Sequence, residues 1–281
     1  MQAPQARLLP DGRRLHLNHG PIDLVVEAFG TSAEVETAYR QAAARFETIL
    51  TELVAELPAL RSPAAPARPR QFHSPAARRM EAAVSPLAVE FLTPMAAVAG
   101  AVADEVLAAL VAGRRLERAY VNNGGDVALF LAGGQRIEAA IAGTGHGFAD
   151  RLVIAAADPV RGLATSGWRG RSFSLGIADA VTVLATSAAK ADAAATVIAN
   201  AVDLPGHAAV RRRPAAELAP DTDLGERLVT VGVDVLGDAE ISVVLEAGRL
   251  KNACWLPAIS KAPRFSFAAR PASAAVWATG L

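Results

Sequence analysis

The chain has 281 residues, 28 Lys plus Arg against 28 Asp plus Glu, and a single cysteine, Cys254. Balanced charge excludes a global field that would gather nucleic acid or an anionic membrane, and one thiol excludes an internal disulfide or a multi-cysteine metal site. The length suffices for one large domain or two closely packed halves, and the opening MQAPQARLLPDGRRLHLNHG lacks the apolar core of a signal peptide, so a cytoplasmic protein is expected.

In chain order, Arg14 to Phe29 alternates loosely as two strands broken at His19-Gly20-Pro21. Thr31 or Ser32 is placed to cap a long amphipathic helix with apolar positions at Val35, Ala38, Ala42, Phe46, Leu50 and Leu53, ending before Pro58. Residues 61–70 turn to Pro, Ala and Arg, the composition of an internal surface loop. His73-Ser74-Pro75 predicts a further helix with proline at its first position. Phe91 to Gly113 is long enough to cross a membrane, but Asp104 and Glu105 in its middle predict a buried helix of a soluble fold.

Strands are predicted at Arg118–Asn122, Val127–Leu131 and Arg136–Ile141, as a meander turning at Asn123-Gly124-Gly125-Asp126 and at Gly133-Gly134. The first turn has two readings: an ordinary hairpin, or a glycine pair that lets a flat or phosphorylated ligand touch the backbone. Gly143-Thr144-Gly145-His146-Gly147 has Phe148 where a dinucleotide fingerprint needs its third glycine, and no Gly-Lys-Ser/Thr follows. It reads as a loop at the mouth of a site, where His146 could meet a ligand. His16, His19, His73 and His207 show no zinc spacing.

Residues 163–200 hold four signals in succession. Thr165-Ser166-Gly167 reads as a small polar turn, Trp168 to Arg171 as a basic loop carrying Arg169 and Arg171, Val181 to Ala185 as a buried strand, and Ser187 as the cap of an Ala-rich helix. On that helix Asp192 and Thr196 lie four apart and project from one face. A carboxylate and a hydroxyl among methyl groups offer oxygen to a hard cation such as magnesium. Equally, Thr196 can bond back to the carbonyl of residue 192 while Asp192 faces water; spacing leaves both open.

Further on, Arg211-Arg212-Arg213-Pro214 reads as a solvated loop, Leu228 to Val235 as a strand, Asp238 to Ala247 as a helix closed by Gly248, and residues 261–281 as a tail wrapping the surface. AVAGAVADEVLAALVA and ATSAAKADAAATVIANA each place an Asp after Ala in a small-residue helix, at Asp104 and Asp192. Two related halves would explain this echo, and so would Ala-rich composition. Such helices also tolerate a homodimer interface.

Three motifs carry a family resemblance. Ala96-Ala97-Val98-Ala99-Gly100 through Asp104 is similar to a helix of the form G-I-A-K-G-x-x-x-D, Asn123-Gly124-Gly125-Asp126 to an N-x-G-G-D turn, and Thr165-Ser166-Gly167, Thr182-Val183 and Asp192-Ala193-x-x-Thr196 to a T-S-G, T-V, D-A-x-x-T series. In this order and separation they resemble the ApbE superfamily, whose best-known members move FMN from FAD onto a Thr or Ser of a target protein, with magnesium. The resemblance implies an α+β fold of two interlocked halves, mainly antiparallel sheet backed by helices in a T-fold-like duplication, running as one domain over residues 1–281. It implies a flavin or related nucleotide, FAD or FMN, as small-molecule partner at Asn123, Gly124, Gly125, Asp126, Thr165, Ser166 and Gly167, with Mg2+ on Asp192 and Thr196; Arg169 and Arg171 of the basic loop are placed to add charge stabilisation at the same ligand.

The departures point to an uncharacterised ApbE-like branch. The family's catalytic Lys falls on Ala99, and its H-I-I-D-P-x-T-G loop is replaced by the shorter Ser172-Phe173-Ser174-Leu175-Gly176-Ile177-Ala178-Asp179. Asp179 and His146 are the remaining candidates for a proton acceptor. Three readings follow: a flavin transferase with a rearranged base, a non-catalytic flavin or nucleotide binder, or an enzyme of another small-molecule pathway such as C1 or sulfur metabolism.

Overall fold

The computed structural model describes residues 3–66, 68–140, 151–259, 264–269 and 274–279, with side chains as far as Asn252. Strand β1 (Gln5–Leu8) pairs antiparallel with β2 (Leu15–His19), which turns at Gly20 into β3 (Ile22–Gly30). Leu15, Leu17, Ile22, Leu24 and Val26 are buried at alternate positions, the period-two pattern of a sheet with one covered face. Helix α1 (Ser32–Ala55) buries Ala38, Ala42, Phe46, Ile49, Leu50 and Leu53, and the short α2 (Leu57–Leu60) takes Pro58 into its first turn. Residues 61–66 and 68–70 form neither helix nor strand. Helix α3 (Pro75–Val84) begins at its proline, and the Ser74 hydroxyl accepts the Ala77 N–H at 3.2 Å.

Next come α4 (Val98–Val111), β4 (Leu116–Asn123) and β5 (Asp126–Leu131), then a separate hairpin of β6 (Arg136–Ala140) and β7 (Arg151–Ala155). The second half holds β8 (Gly162–Ser166), β9 (Ala180–Ala185), α5 (Ala188–Ala201), β10 (Val210–Pro214), α6 (Ala215–Leu218), β11 (Leu228–Val233), α7 (Asp238–Ile259), β12 (Arg264–Ala269) and β13 (Ala274–Thr279). Nine strands form one sheet in the order β1-β2-β3-β4-β5-β8-β9-β12-β13, antiparallel throughout. Two units emerge, each two strands, two long helices and two strands: β2-β3-α1-α4-β4-β5 and β8-β9-α5-α7-β12-β13. They join edge to edge where Val127 and Ala128 pair with Leu163 and Gly162. The fold is α+β, an antiparallel sheet backed by helices in two interlocked halves.

Pro94–Val111 is apolar and long enough to cross a membrane, yet 61% of it is buried in the fold. It packs against α1, α3 and α5, and the buried alanines 101, 103, 188, 189, 191, 193, 194 and 195 let α4 and α5 approach closely. Those small residues form internal core.

Several sequence expectations need correction. The meander stops at β5, whose free edge is taken by β8 from the other half, while β6 pairs with β7 over a small cluster of Leu129, Leu131, Leu152, Ile154, Leu163 and Leu184. Neighbouring strands usually pair, and this chain departs from that tendency because the seam between its halves needs the edge. Thr165 and Ser166 end a strand rather than forming a turn. Arg211 to Arg213 lie in β10, where Asp234, Asp203 and Glu217 respectively pair with them. Helix α7 runs through Gly248 to Ile259, since glycine costs a helix only about 1 kcal/mol. The C-terminal segment supplies a hairpin whose β12 pairs with β9, completing the second unit instead of wrapping the surface. The echo between Asp104 and Asp192 is not the repeat: α4 is the second helix of its unit and α5 the first of its own.

Candidate functional site

The seam between the units opens into a pocket of about 580 Å3. Its polar wall is built from strand ends and from α5. At the β4–β5 hairpin, Gly124 and Gly125 have φ of +66° and +116°, the left-handed backbone of a two-residue turn, and Gly125 N–H donates to Asn122 Oδ1 at 2.8 Å. A Cβ at Gly124 would lie 1.9 Å from an Arg171 guanidinium nitrogen, so the turn lets this arginine lie against the backbone. Asn123, nearly fully buried, donates to the Ala99 carbonyl at 3.1 Å and ties the hairpin to the start of α4. Thr165 Oγ1 meets Thr182 Oγ1 at 2.8 Å, and the Thr165 N–H donates to Asp126 Oδ1 at 3.3 Å across the seam.

Asn123, Gly124, Asp126, Thr165, Ser166, Gly167, Arg169, Arg171, Asp192 and Thr196 all line this one pocket. Gly125 belongs to the same turn without lining it. Asp179 lies behind the wall: its Oδ1 accepts from Arg169 Nε at 2.6 Å and Trp168 Nε1 at 3.0 Å, with the Arg169 guanidinium 4.7 Å from the Trp168 ring centroid. His146 and the Gly143–Gly147 loop lie outside the described residues. The position matching the family's Lys, Ala99, does line the pocket.

Three contributions were missed. Asn200, one turn beyond Thr196, extends the α5 stripe into the pocket. Phe91 and Leu92 with Met95 supply apolar wall, and Thr222 to Leu224 come from the β10–β11 connection. Thr93 donates its hydroxyl to Asp223, and Arg227 stacks on Phe91, so this connection is fastened across the pocket rim. Only the Asn200 spacing was readable locally; the rest depends on tertiary placement.

Asp192 has a structural duty as well. The Gly100 N–H donates to its Oδ2 at 3.0 Å, satisfying an amide at the start of α4, where Ala97 offers no side-chain cap. In return Asp104 of α4 accepts from the Ala188 and Ala189 N–H groups at 3.0 and 2.9 Å, at the start of α5. Each carboxylate also meets the positive end of the other helix's dipole. Ser187 accepts the Lys190 N–H at 3.3 Å at the start of α5, but the Ala188, Ala189 and Gly100 amides take their acceptors from the opposite half.

Two carboxylates facing one pocket cost electrostatic energy. Burial pushes Asp126 up to about 7, against the pull of the Thr165 amide and Arg171, and burial followed by the charge of Asp126 raises Asp192 well above the carboxylate range. A carboxyl whose folded pKa exceeds its unfolded one binds more protons when folded, so its stabilising effect is full below about pH 4 and lost as pH rises through about 7. We expect the thermal midpoint to fall between about pH 5 and about pH 8, by on the order of 2 kcal/mol of stability, and Asp126→Asn to flatten that slope. Equal slopes in wild type and variant, measured by calorimetric scans across pH, would remove Asp126 as the cause.

Among the described residues no three His, Cys, Asp or Glu side chains form a cluster. Two carboxyl groups and the Thr196 hydroxyl nevertheless line one pocket with all-oxygen donors. That suits magnesium, which binds through one or two carboxylates and completes its shell with water and substrate phosphate.

A duplicated strand-strand-helix-helix-strand-strand protein with a polar pocket at the seam is the class defined by this architecture. The family model described as "AbpE bacteria" matches residues 6–259, and the chain belongs to that family, within the ApbE-like superfamily. Solved structures similar to it include the apo form of the flavinyl transferase ApbE of Pseudomonas stutzeri, with 11% identity and a TM-score of 0.48 over 99% of this chain and 95% of that one. The flavin transferase ApbE of Vibrio cholerae is 13% identical with a TM-score of 0.40, over 98% and 97% of the two chains. No curated protein matches the chain.

Proposed function

We propose that the seam pocket binds a flavin or a related nucleotide together with magnesium. The observation that carries this reading is the pairing, in one cavity of about 580 Å3, of an acidic oxygen-rich wall with an apolar one. The volume falls in the range of small-molecule and cofactor sites. Asp192 and Thr196, with Asp126 beside them, would hold the cation, which supplies charge neutralisation to ligand phosphates. Arg171, held over Gly124, adds a donor fork at the same end. Phe91, Leu92 and Met95 keep water from a flat ring.

Among the described residues, binding without transfer is the form of this reading that is favoured. A transferase needs a group to take the proton from the attacking hydroxyl. Ala99 cannot do so, and the Asp179 carboxylate already receives Arg169 and Trp168. FMN transfer from FAD remains the reaction to test first, by the mass of a target peptide incubated with the protein, FAD and magnesium. A reducing, cytoplasmic setting suits a chain with one cysteine.

Asp192→Asn keeps an oxygen for the Gly100 amide while removing the charge. Magnesium should tighten FAD or FMN binding by roughly tenfold or more, about 1.4 kcal/mol, in the wild type and not in this variant. Calorimetric titration with and without magnesium reads this directly. Identical magnesium dependence in both proteins would end the metal role of Asp192.

A further inference from the structure

The α5 face that lines the pocket carries Asp192, Thr196 and Asn200 at successive turns. Asn200 differs from the other two in how its side chain is fixed. Its Oδ1 accepts the Leu175 N–H at 2.9 Å and the Ser174 hydroxyl at 3.3 Å. The backbone donor at Leu175 settles the orientation of the amide, because Nδ2 cannot accept a hydrogen bond from it. Leu175 is itself held from the other side, its carbonyl receiving the Arg212 guanidinium that also pairs with Asp203. The acceptor half of Asn200 is therefore committed, and its Nδ2 donates to no partner among the described residues.

The neighbourhood of that amide contrasts with the Asp192 end. Leu175 lines the pocket there, and Ser174 is buried and joined to β11 through its carbonyl and the Thr230 N–H. Asp192, by contrast, shares its part of the pocket lining with the carboxyl of Asp126 and the hydroxyl of Thr196. Eight residues of helix separate positions 192 and 200, which sets the two ends about 12 Å apart along α5 at 1.5 Å per residue. That distance is about the length of a phosphorylated sugar with its attached ring.

We infer that Asn200 is a specificity-determining residue whose Nδ2 donates to a ring acceptor of a planar heterocycle, with the ligand lying along α5 and its anionic part toward Asp192. This inference rests on the flavin or nucleotide reading of the pocket and adds the ligand's direction and its recognition group. The shared chemistry is a ring carbonyl or imine nitrogen, present in both an isoalloxazine and a purine. A pocket with a fixed donor rejects a ring lacking an acceptor there, because the amide would be desolvated and left unpaired.

The test uses Asn200→Asp and Asn200→Ala in the full chain, titrated with FMN, lumiflavin and adenosine. Asn200→Asp keeps an oxygen for Leu175 and Ser174 and exchanges the donor for a carboxylate oxygen, whose added charge the uncharged lumiflavin and adenosine separate from repulsion of a phosphate; Asn200→Ala loses both functions and should melt earlier than Asn200→Asp. We expect Asn200→Asp to weaken FMN by about tenfold to a hundredfold, the cost of one unpaired polar contact. Lumiflavin, which has no ribityl phosphate, should lose the same factor, and the flavin absorption band of the complex should shift between the two proteins. If adenosine alone shows the loss, the ring recognised is a purine rather than a flavin. Wild-type and Asn200→Asp proteins binding FMN and adenosine equally well would overturn the assignment alone. So would a loss for FMN with neither ring compound affected, which would place the contact on the ribityl phosphate. A wild type that binds none of the three would overturn the flavin and nucleotide reading, and this inference with it.

Discussion

Gly100→Ala and Gly162→Ala should each cost the protein about 3 kcal/mol or more, enough to leave little folded material at physiological temperature. A Cβ at position 100 would lie 2.3 Å from the Ala188 carbonyl oxygen, and one at 162 would lie 2.1 Å from the Ala188 nitrogen and 2.2 Å from the Ser187 carbonyl carbon. Both obstacles are backbone at the first turn of α5, so no side-chain rotation relieves the overlap. Relief would require α5 to move away from α4 and from the sheet, opening the core of buried alanines between them. Gly133→Ala is the control, because a Cβ there meets nothing within 4 Å; it should stay within about 0.5 kcal/mol of wild type. Urea denaturation of the three variants decides the matter, and a Gly162→Ala midpoint equal to that of Gly133→Ala would show that α5 is not held where described.

The second large effect concerns Asp104. Asp104→Ala should destabilise the fold by roughly 2–4 kcal/mol, since it strands the Ala188 and Ala189 amides together in a place where both neighbouring residues are buried. Asp104→Asn can accept only one of the two and should fall between. Burial raises the Asp104 carboxyl pKa above its ordinary value, and the two amides at the α5 N-terminus pull it part of the way back. Amide hydrogen exchange at 188 and 189 should accelerate in Asp104→Ala more than at the start of α4. Equal acceleration at both helix ends would mean that the pair unfolds as one and that the cap is not a local contribution.

Much of the first unit was legible because its signals are local. The alternation in β2 and β3, the apolar stripe from Ala38 to Leu53 and the Ser74-Pro75 helix start all follow from periodicities and caps that lie within one element. Of the ten pocket-lining positions named from sequence, eight came from motif order and Arg169 and Arg171 from the basic loop, none from any contact visible in the sequence. What escaped was set by distance along the chain. Asp104 reaches residues 84 and 85 positions away and Asp192 one 92 away, whereas cap signals are sought within the first turn. The meander failed for a similar reason, since nothing near Val127 announces Leu163 as its partner. The contacts of Asp179 were equally hidden, because Trp168 and Arg169, only ten or so residues earlier, return to it through a loop with no periodic signature.

The carboxylate at 192 also bears on how a motif match within this family can be read. A residue retained for chemistry is free to drift once the chemistry is gone, but Asp192 finishes a helix in the opposite half of the fold. Selection for folding alone would therefore preserve it, along with the small residues that let the two helices meet. A motif of this kind can outlive its reaction. Pocket chemistry is better judged at positions such as Ala99, which line the pocket and cap no helix of the opposite half.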